Sequence, residues 1–220
     1  MPKVLSLRLF RNNDNIFDMT TIEIKGTTRS EFGKKGSKLD RSNGLVPAVM
    51  YGGDDVVHFT VTPASVKNLV YTPDFKIAEI DLDGKHYKAI LKSAQFHPVS
   101  DQLLHIDFLK LIEKTPIKVE VPLRFKGSSP GVKLGGKLIQ QIRKIKIKTT
   151  PEFLVDELKA DISKLDLGQA LRVREVTVPK GVEILNNAAT PVALIEIPRA
   201  LKAAAAAEAK AADKGPKKKK

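Results

Sequence analysis

Cysteine is absent from the 220 residues. That excludes disulfides, thiolate metal sites and a cysteine nucleophile, and it argues against a disulfide-stabilised secreted module. Tryptophan is absent too, and aromatics reach only 5%, so any core must rest on Val, Ile and Leu. No apolar run approaches the ~20 residues that a membrane-spanning helix needs. The basic opening with Leu5, Leu7, Leu9 and Phe10 lacks the long apolar stretch and small-residue cleavage site of a signal peptide. A cytoplasmic protein without a membrane partner is the expectation. Catalytic patterns are missing as well. No Gly-x-Ser-x-Gly elbow occurs, and His58, His86, His97 and His105 stand in no zinc-binding spacing. The nearest phosphate-loop match, Gly131 to Lys137, has Leu138 where a Ser or Thr should hold magnesium. It reads as a glycine-rich connection. No enzyme, metal or cofactor is expected.

What is present is positive charge, unevenly placed. The formal net charge is +13. Residues 199–220 hold eight Lys or Arg against two acids, and such tails bind polyanions unspecifically. Residues 25–41 hold six Lys or Arg against two acids, inside a region that is otherwise close to neutral. A basic segment set in a neutral domain suggests a directed polyanion site.

The hydrophobic pattern is mostly that of strands. After residues 1–18, read as an extension, Met19 opens an alternating stretch over residues 20–25. Residues 25–44 read as a long glycine-rich loop with a short helix before Gly44. Strands are expected at 45–51 and 56–61, and a helix opens at Thr62-Pro63 with Thr as N-cap. Residues 76–82 and 86–92 flank Asp83-Gly84, the favoured chemistry of a two-residue hairpin turn. Residues 103–111 form another strand. A boundary falls near 113–116. Beyond it, strands are expected at 117–121, 142–148, 153–162, 171–178 and 190–197, with Lys144, Lys146 and Lys148 on one strand face. The organisation is therefore an extension (1–18), a first domain (19–112), a second (113–198) and a low-complexity Ala/Lys-rich basic tail (199–220). Many short strands, few helices and no alternating βα rhythm give a mainly β chain of two domains.

The candidate site residues fall in the first domain. Arg29, Lys34, Lys35, Lys38 and Arg41 lie within thirteen positions of one another, beside glycines that let backbone approach a phosphate. The alternative is a solvated surface loop. His105 and Asp107 are two apart and share a strand face, as a buried structural hydrogen bond or as a ligand site. Tyr51 ends a strand beside Gly52-Gly53, where rim packing competes with a base contact. In the second domain, Lys144, Lys146 and Lys148 are either an RNA contact or a solvated face.

Taken in order, Ile22 to Arg29, Gly33-Lys34-Lys35, Gly44 to Gly53 and His105-Ile106-Asp107-Phe108 resemble one family. Val121-Pro122-Leu123, Gly131 to Leu138, Asp166 to Gln169 and Pro179 to Val182 extend the match. The family is the bacterial large-subunit ribosomal protein L25 in its long two-domain form, also known as the general stress protein Ctc type. The resemblance covers about residues 20–198. It implies an N-terminal β-barrel with a few short helices, a second all-β domain, and docking of the barrel on 5S rRNA through a widened minor groove. It carries contact roles onto Arg29, Arg41, Tyr51, His105 and Asp107. It also implies the large ribosomal subunit as partner, with other rRNA or ribosomal proteins meeting the C-terminal domain. Asp40-Arg41-Ser42-Asn43-Gly44 departs from the family's common Leu-Arg-Arg-Glu-Gly, losing one cation and gaining an acid at Asp40 while Asn43 replaces the glutamate. A tRNA-binding barrel and a stress-induced protein–protein adaptor are the competing readings.

Overall fold

A computed structural model of the chain describes residues 19–53 and 55–199. The extension at 1–18 and all but the first residue of the basic tail lie outside the described residues.

The first unit is a closed six-stranded barrel. Its strands are β1 (Thr21–Thr28), β2 (Val46–Tyr51), β3 (Val57–Val61), β4 (Ile77–Leu82), β5 (Lys85–Phe96) and β6 (Leu103–Lys110), in spatial order β1-β3-β2-β6-β5-β4. Parallel pairing of β1 with β4 and of β2 with β6 joins antiparallel segments into a ring. Closure leaves no free sheet edge. Alternation sends Ile24, Ala48, Met50, Phe59, Val61, Ile80, Ile106 and Phe108 inward, all nearly inaccessible. Phe59 and Phe108 meet there with ring centroids 5.8 Å apart. The helix α2 (Pro63–Val70) adds Val66 and Leu69 to this core.

The hairpin between β4 and β5 turns on Asp83 and Gly84, both at positive φ (52° and 85°). This is the two-residue turn that Asp-Gly favours. Pro63 does open α2, but the Thr62 hydroxyl bonds the Ser65 hydroxyl at 3.2 Å and makes no cap to the backbone.

Residues 25–44 differ most from expectation. β1 runs on to Thr28, and a ten-residue helix, α1 (Gly33–Ser42), fills most of what reads as loop. The helix lacks ordinary opening signals: Phe32 at the N-cap offers no side-chain bond, and no acid stands in the first turn. It is held by its other end and by its buried side. Gly44 sits at φ 74°, its amide bonds the Arg41 carbonyl, and the Leu45 amide reaches back to Asp40 O at 2.9 Å. That is the Schellman arrangement, which needs a left-handed residue and therefore favours glycine.

The second unit is two facing sheets. One has the order β10-β7-β9-β12 and the other β11-β13-β8. β7 (Ile117–Lys126), β9 (Lys144–Thr149), β10 (Leu158–Asp161) and β12 (Val182–Ile184) make the first. β8 (Lys137–Gln140), β11 (Ala170–Arg172) and β13 (Pro191–Glu196) make the second. Lys144, Lys146 and Lys148 do share one outer face, with Ile145 and Ile147 inward. Two expected strands are shorter than their apolar runs. Pro151 opens a 3-10 turn before β10, and β11 bends at a register shift into a 3-10 turn at Val173–Glu175. The glycine-rich connection contains one helical turn, α3 (Pro130–Lys133), capped by the Ser129 hydroxyl. Its glycines serve close contact: a Cβ at Gly131 would lie 2.7 Å from the Asp166 backbone, and one at Gly136 would lie 2.6 Å from Ile195.

The two units share a seam. Ile90 of β5 points out of the barrel and is buried in the core of the second unit, and Met19, Phe75, Leu109 and Leu111 also pack against that core. Arg124 of β7 bridges to Asp74 at 2.7 Å and to Glu157 at 3.1 Å.

Candidate nucleic-acid interface

The barrel's outer face over β2 and β6 gathers most of the polar residues singled out above. Because Ile106 and Phe108 face inward, His105 and Asp107 face outward. The parallel register sets Val49 opposite Asp107, so Tyr51, two residues on, lies diagonally across from Asp107 on the same face. On the other flank Ser93 of β5 is the partner of Asp107 and Gln95 that of His105.

Within this patch Asp107 is the hub. Its Oδ1 lies 2.9 Å from His105 Nδ1, and its Oδ2 accepts from the Ser93 hydroxyl. Both side chains of the His–Asp pair are about three-quarters covered, 28% and 25% exposed. The imidazole of His105 stays partly open beside the carboxylate, with ring nitrogens that can take part in hydrogen bonding. Burial, and secondly the negative charge of Asp107, push the Tyr51 phenol above its ordinary value of 10.0. Tyr51 is therefore a neutral hydroxyl at physiological pH.

Arg41 joins the patch from α1. Its Nε donates to Leu104 O at 3.2 Å, the carbonyl just before His105. Lys34, Lys38 and Arg41 follow i, i+4, i+7 spacing and form one exposed stripe along α1, while Lys35 stands about 100° round the helix. The opposite side carries buried Gly36 and half-buried Asp40.

Arg29 is placed differently. Its side chain is only 9% exposed; Nη2 lies 2.8 Å from Asp40 Oδ2 and donates to the Ser37 hydroxyl at 3.2 Å. Its amide also bonds His58 O at 3.0 Å. Arg29 thus ties the end of β1 to α1, and its charge is spent inside the protein. The structure brings Arg41, Tyr51, His105 and Asp107 together, lays Lys34 and Lys38 alongside, turns Lys35 away and seals Arg29 beneath the helix. Ser93 was missed from sequence. Only the β5–β6 register, which the bulge between Leu91 and Ser93 sets, identifies it as the second partner of Asp107.

Comparison with known proteins gives this face its context. The Ribosomal L25p family profile matches residues 24–108, and the profile of the Ribosomal protein TL5 C-terminal domain matches residues 116–199. The large ribosomal subunit protein bL25 of Bacteroides fragilis is 44% identical over 197 residues, covering 87% of this chain and 100% of the relative. That of Bacteroides thetaiotaomicron is 43% identical over 197 residues with the same coverage. That of Amoebophilus asiaticus is 42% identical over 200 residues, covering 91% of this chain and 100% of the relative. The chain belongs to the ribosomal L25p family. Membership makes it a structural ribosomal protein of the large subunit, not an enzyme, and places it in the cytoplasm. The L25p match contains every residue of the barrel patch and α1, and the TL5-type match takes in both sheets of the second unit.

Proposed function

We propose that this L25p-family chain binds 5S rRNA in the large ribosomal subunit, through the barrel face formed by β2, β6 and the α1 stripe. The observation that carries the reading is the convergence of Arg41, Tyr51, His105 and Asp107 on one partly open patch. Helical RNA displays 2′-hydroxyls and base edges in a wide, shallow minor groove. Short polar groups held against a flat strand surface suit that groove. The Tyr51 hydroxyl and the His105 imidazole supply hydrogen-bonding groups. Asp107 orients His105 and offers its remaining lone pairs to a base amino group or 2′-hydroxyl. Lys34, Lys38 and Arg41 run beside them as the phosphate contacts that set register without reading sequence. Arg29 acts from within, holding α1 against the barrel.

The test is a gel shift with 5S rRNA at stated salt, comparing wild type with Tyr51→Ala, and with tRNA as competitor. Loss of one well-placed hydrogen bond and its stacking surface should weaken binding by roughly tenfold, about 1–2 kcal/mol. Equal affinity of the variant, or displacement of 5S rRNA by equimolar tRNA, sinks the reading.

A further inference from the structure

We propose that the outer face of the β7–β9 sheet is a second RNA-contact surface, receiving the phosphate backbone of the RNA that leaves the barrel patch. The inference rests on the 5S reading above and extends it to the second unit.

The face is built by alternation. Along β7, Ile117, Val119, Val121 and Leu123 turn inward, leaving Lys118, Glu120, Arg124 and Lys126 outside. Along β9, Lys144, Lys146 and Lys148 stand outward, spaced ~6.7 Å apart by strand geometry. Cross-strand register sets Lys118 directly opposite Lys148. Like charges so placed are unfavourable in the free protein, and a polyanion laid across them removes the penalty. Lys146 is paired with Glu120 at 3.8 Å and Lys148 with Glu183 at 3.5 Å, exposed pairs that exchange for a phosphate at little cost. Lys118 and Lys144 have no ion pair among the described residues.

This face is continuous with the barrel patch. A cleft of about 370 Å³ runs between the two units, with Lys76, Lys92 and Ser93 on the barrel side and Lys118, Glu120 and Lys144 on the other. Ser93 is the hydroxyl that bonds Asp107. Next to it, Lys92 Nζ donates to Lys118 O at 3.0 Å, crossing the cleft. A strand leaving the His105–Asp107 pair along Ser93 therefore meets cations without a gap. The chemistry favours RNA over a protein partner. Protein interfaces depend on a few buried aromatic or arginine anchors. None of the exposed large apolar residues lies on the outer side of β7 or β9. Phosphates require only accessible cations.

The experiment uses the full chain with intact 5S rRNA. Affinity is measured from low to high salt, and backbone protection by hydroxyl-radical footprinting, for wild type, Lys118→Gln/Lys144→Gln and the charge-keeping Lys118→Arg/Lys144→Arg. Removing two phosphate contacts should lower the slope of log affinity against log salt by between about one and two units and weaken binding about tenfold. One protected stretch of backbone should disappear while the barrel's own footprint stays. The arginine variant should behave as wild type, and the melting temperature of the glutamine variant should be unchanged or raised. A glutamine variant with wild-type slope and footprint overturns the inference. So does one that binds 5S rRNA normally but fails to enter the large subunit, which would assign the face to a different component of the subunit. Failure of the wild type itself to bind 5S rRNA would instead overturn the barrel reading.

Discussion

Charge alone does not separate a cation that meets a ligand from one that holds the fold. Arg29 and Arg41 bracket α1 and look equivalent in sequence, yet one is sealed and the other open. Arg29 Nε is buried without a partner, so its pairing with Asp40 is incomplete, and Arg29→Ala should cost about 2 kcal/mol rather than the larger loss of a fully bonded buried pair. For a chain of this size that is a fall in melting temperature of roughly 4–8 °C. The salt slope of 5S binding should stay as in wild type. Arg41→Ala should do the reverse, leaving stability alone and lowering the slope by about one phosphate equivalent. A lowered slope with normal melting for Arg29→Ala would return that residue to the contact surface. His105 and Asp107 call for a different measurement, because one orients the other. In a double-mutant cycle, His105→Ala and Asp107→Ala should be non-additive in 5S affinity by about 1 kcal/mol. Strict additivity would show that the 2.9 Å pair has no part in recognition. The shared outward face of these two residues was readable from their two-residue spacing. The burial of Arg29 was not, because its partner Asp40 lies eleven positions away and a helix intervenes.

At the scale of elements, most strands were legible, while of α1 only a short helix before Gly44 was, and not its ten-residue length. Period-two alternation marks β1, β4, β6 and β9 because each has one face on a core and one turned outward. α1 has two glycines, no capping side chain and almost no apolar stripe, so propensity argues against it. Its stability comes from tertiary contact and from its end. Gly44 was the usable signal: a glycine just past Lys34, Lys38 and Arg41 at helical spacing marks a helix stop. Added atoms at Gly44 meet nothing within 4 Å, so the cost of substitution there is purely conformational. Gly44→Ala should lose about 1–2 kcal/mol by forcing a left-handed backbone on alanine. It should also weaken 5S binding, because this turn fixes where Arg41 emerges beside Leu104. Thermal unfolding and gel shift on the same preparation check both. Full stability in the variant would mean the exit turn tolerates another conformation. The shortened strands of the second unit follow from the same rule in reverse: apolar runs were visible, but Pro151 and the bulge after Leu171 cut them where local backbone chemistry overrides the pattern.

Across the whole molecule, the question is whether two β units act as one. Ile90 answers it physically. On β5 it belongs to the barrel by chain and to the second unit by burial, 1% exposed within that core. Sequence alternation could place Ile90 on a face but could not say which body that face would meet. Arg124 and Lys92 reinforce the seam with polar contacts, yet Arg124 and Asp74 are about half exposed, and exposed pairs contribute at most about 1 kcal/mol. The apolar contact should therefore dominate, and truncating it should cost about 2–4 kcal/mol. Because that loss sits at the junction, it should uncouple the units rather than unfold both. Wild type should melt in one transition. Ile90→Ala should show two, the first belonging to the second unit, which loses a core residue while the barrel keeps Phe59, Phe108 and their neighbours. At temperatures below the first transition, the loosened seam should let the β7–β9 lysines drift from the path that starts at Ser93. The salt slope for 5S rRNA should then approach that of Lys118→Gln/Lys144→Gln, with the contacts of Tyr51 and His105 intact. A single, uniformly lowered transition with an unchanged slope would mean the units are held in register by something other than this contact.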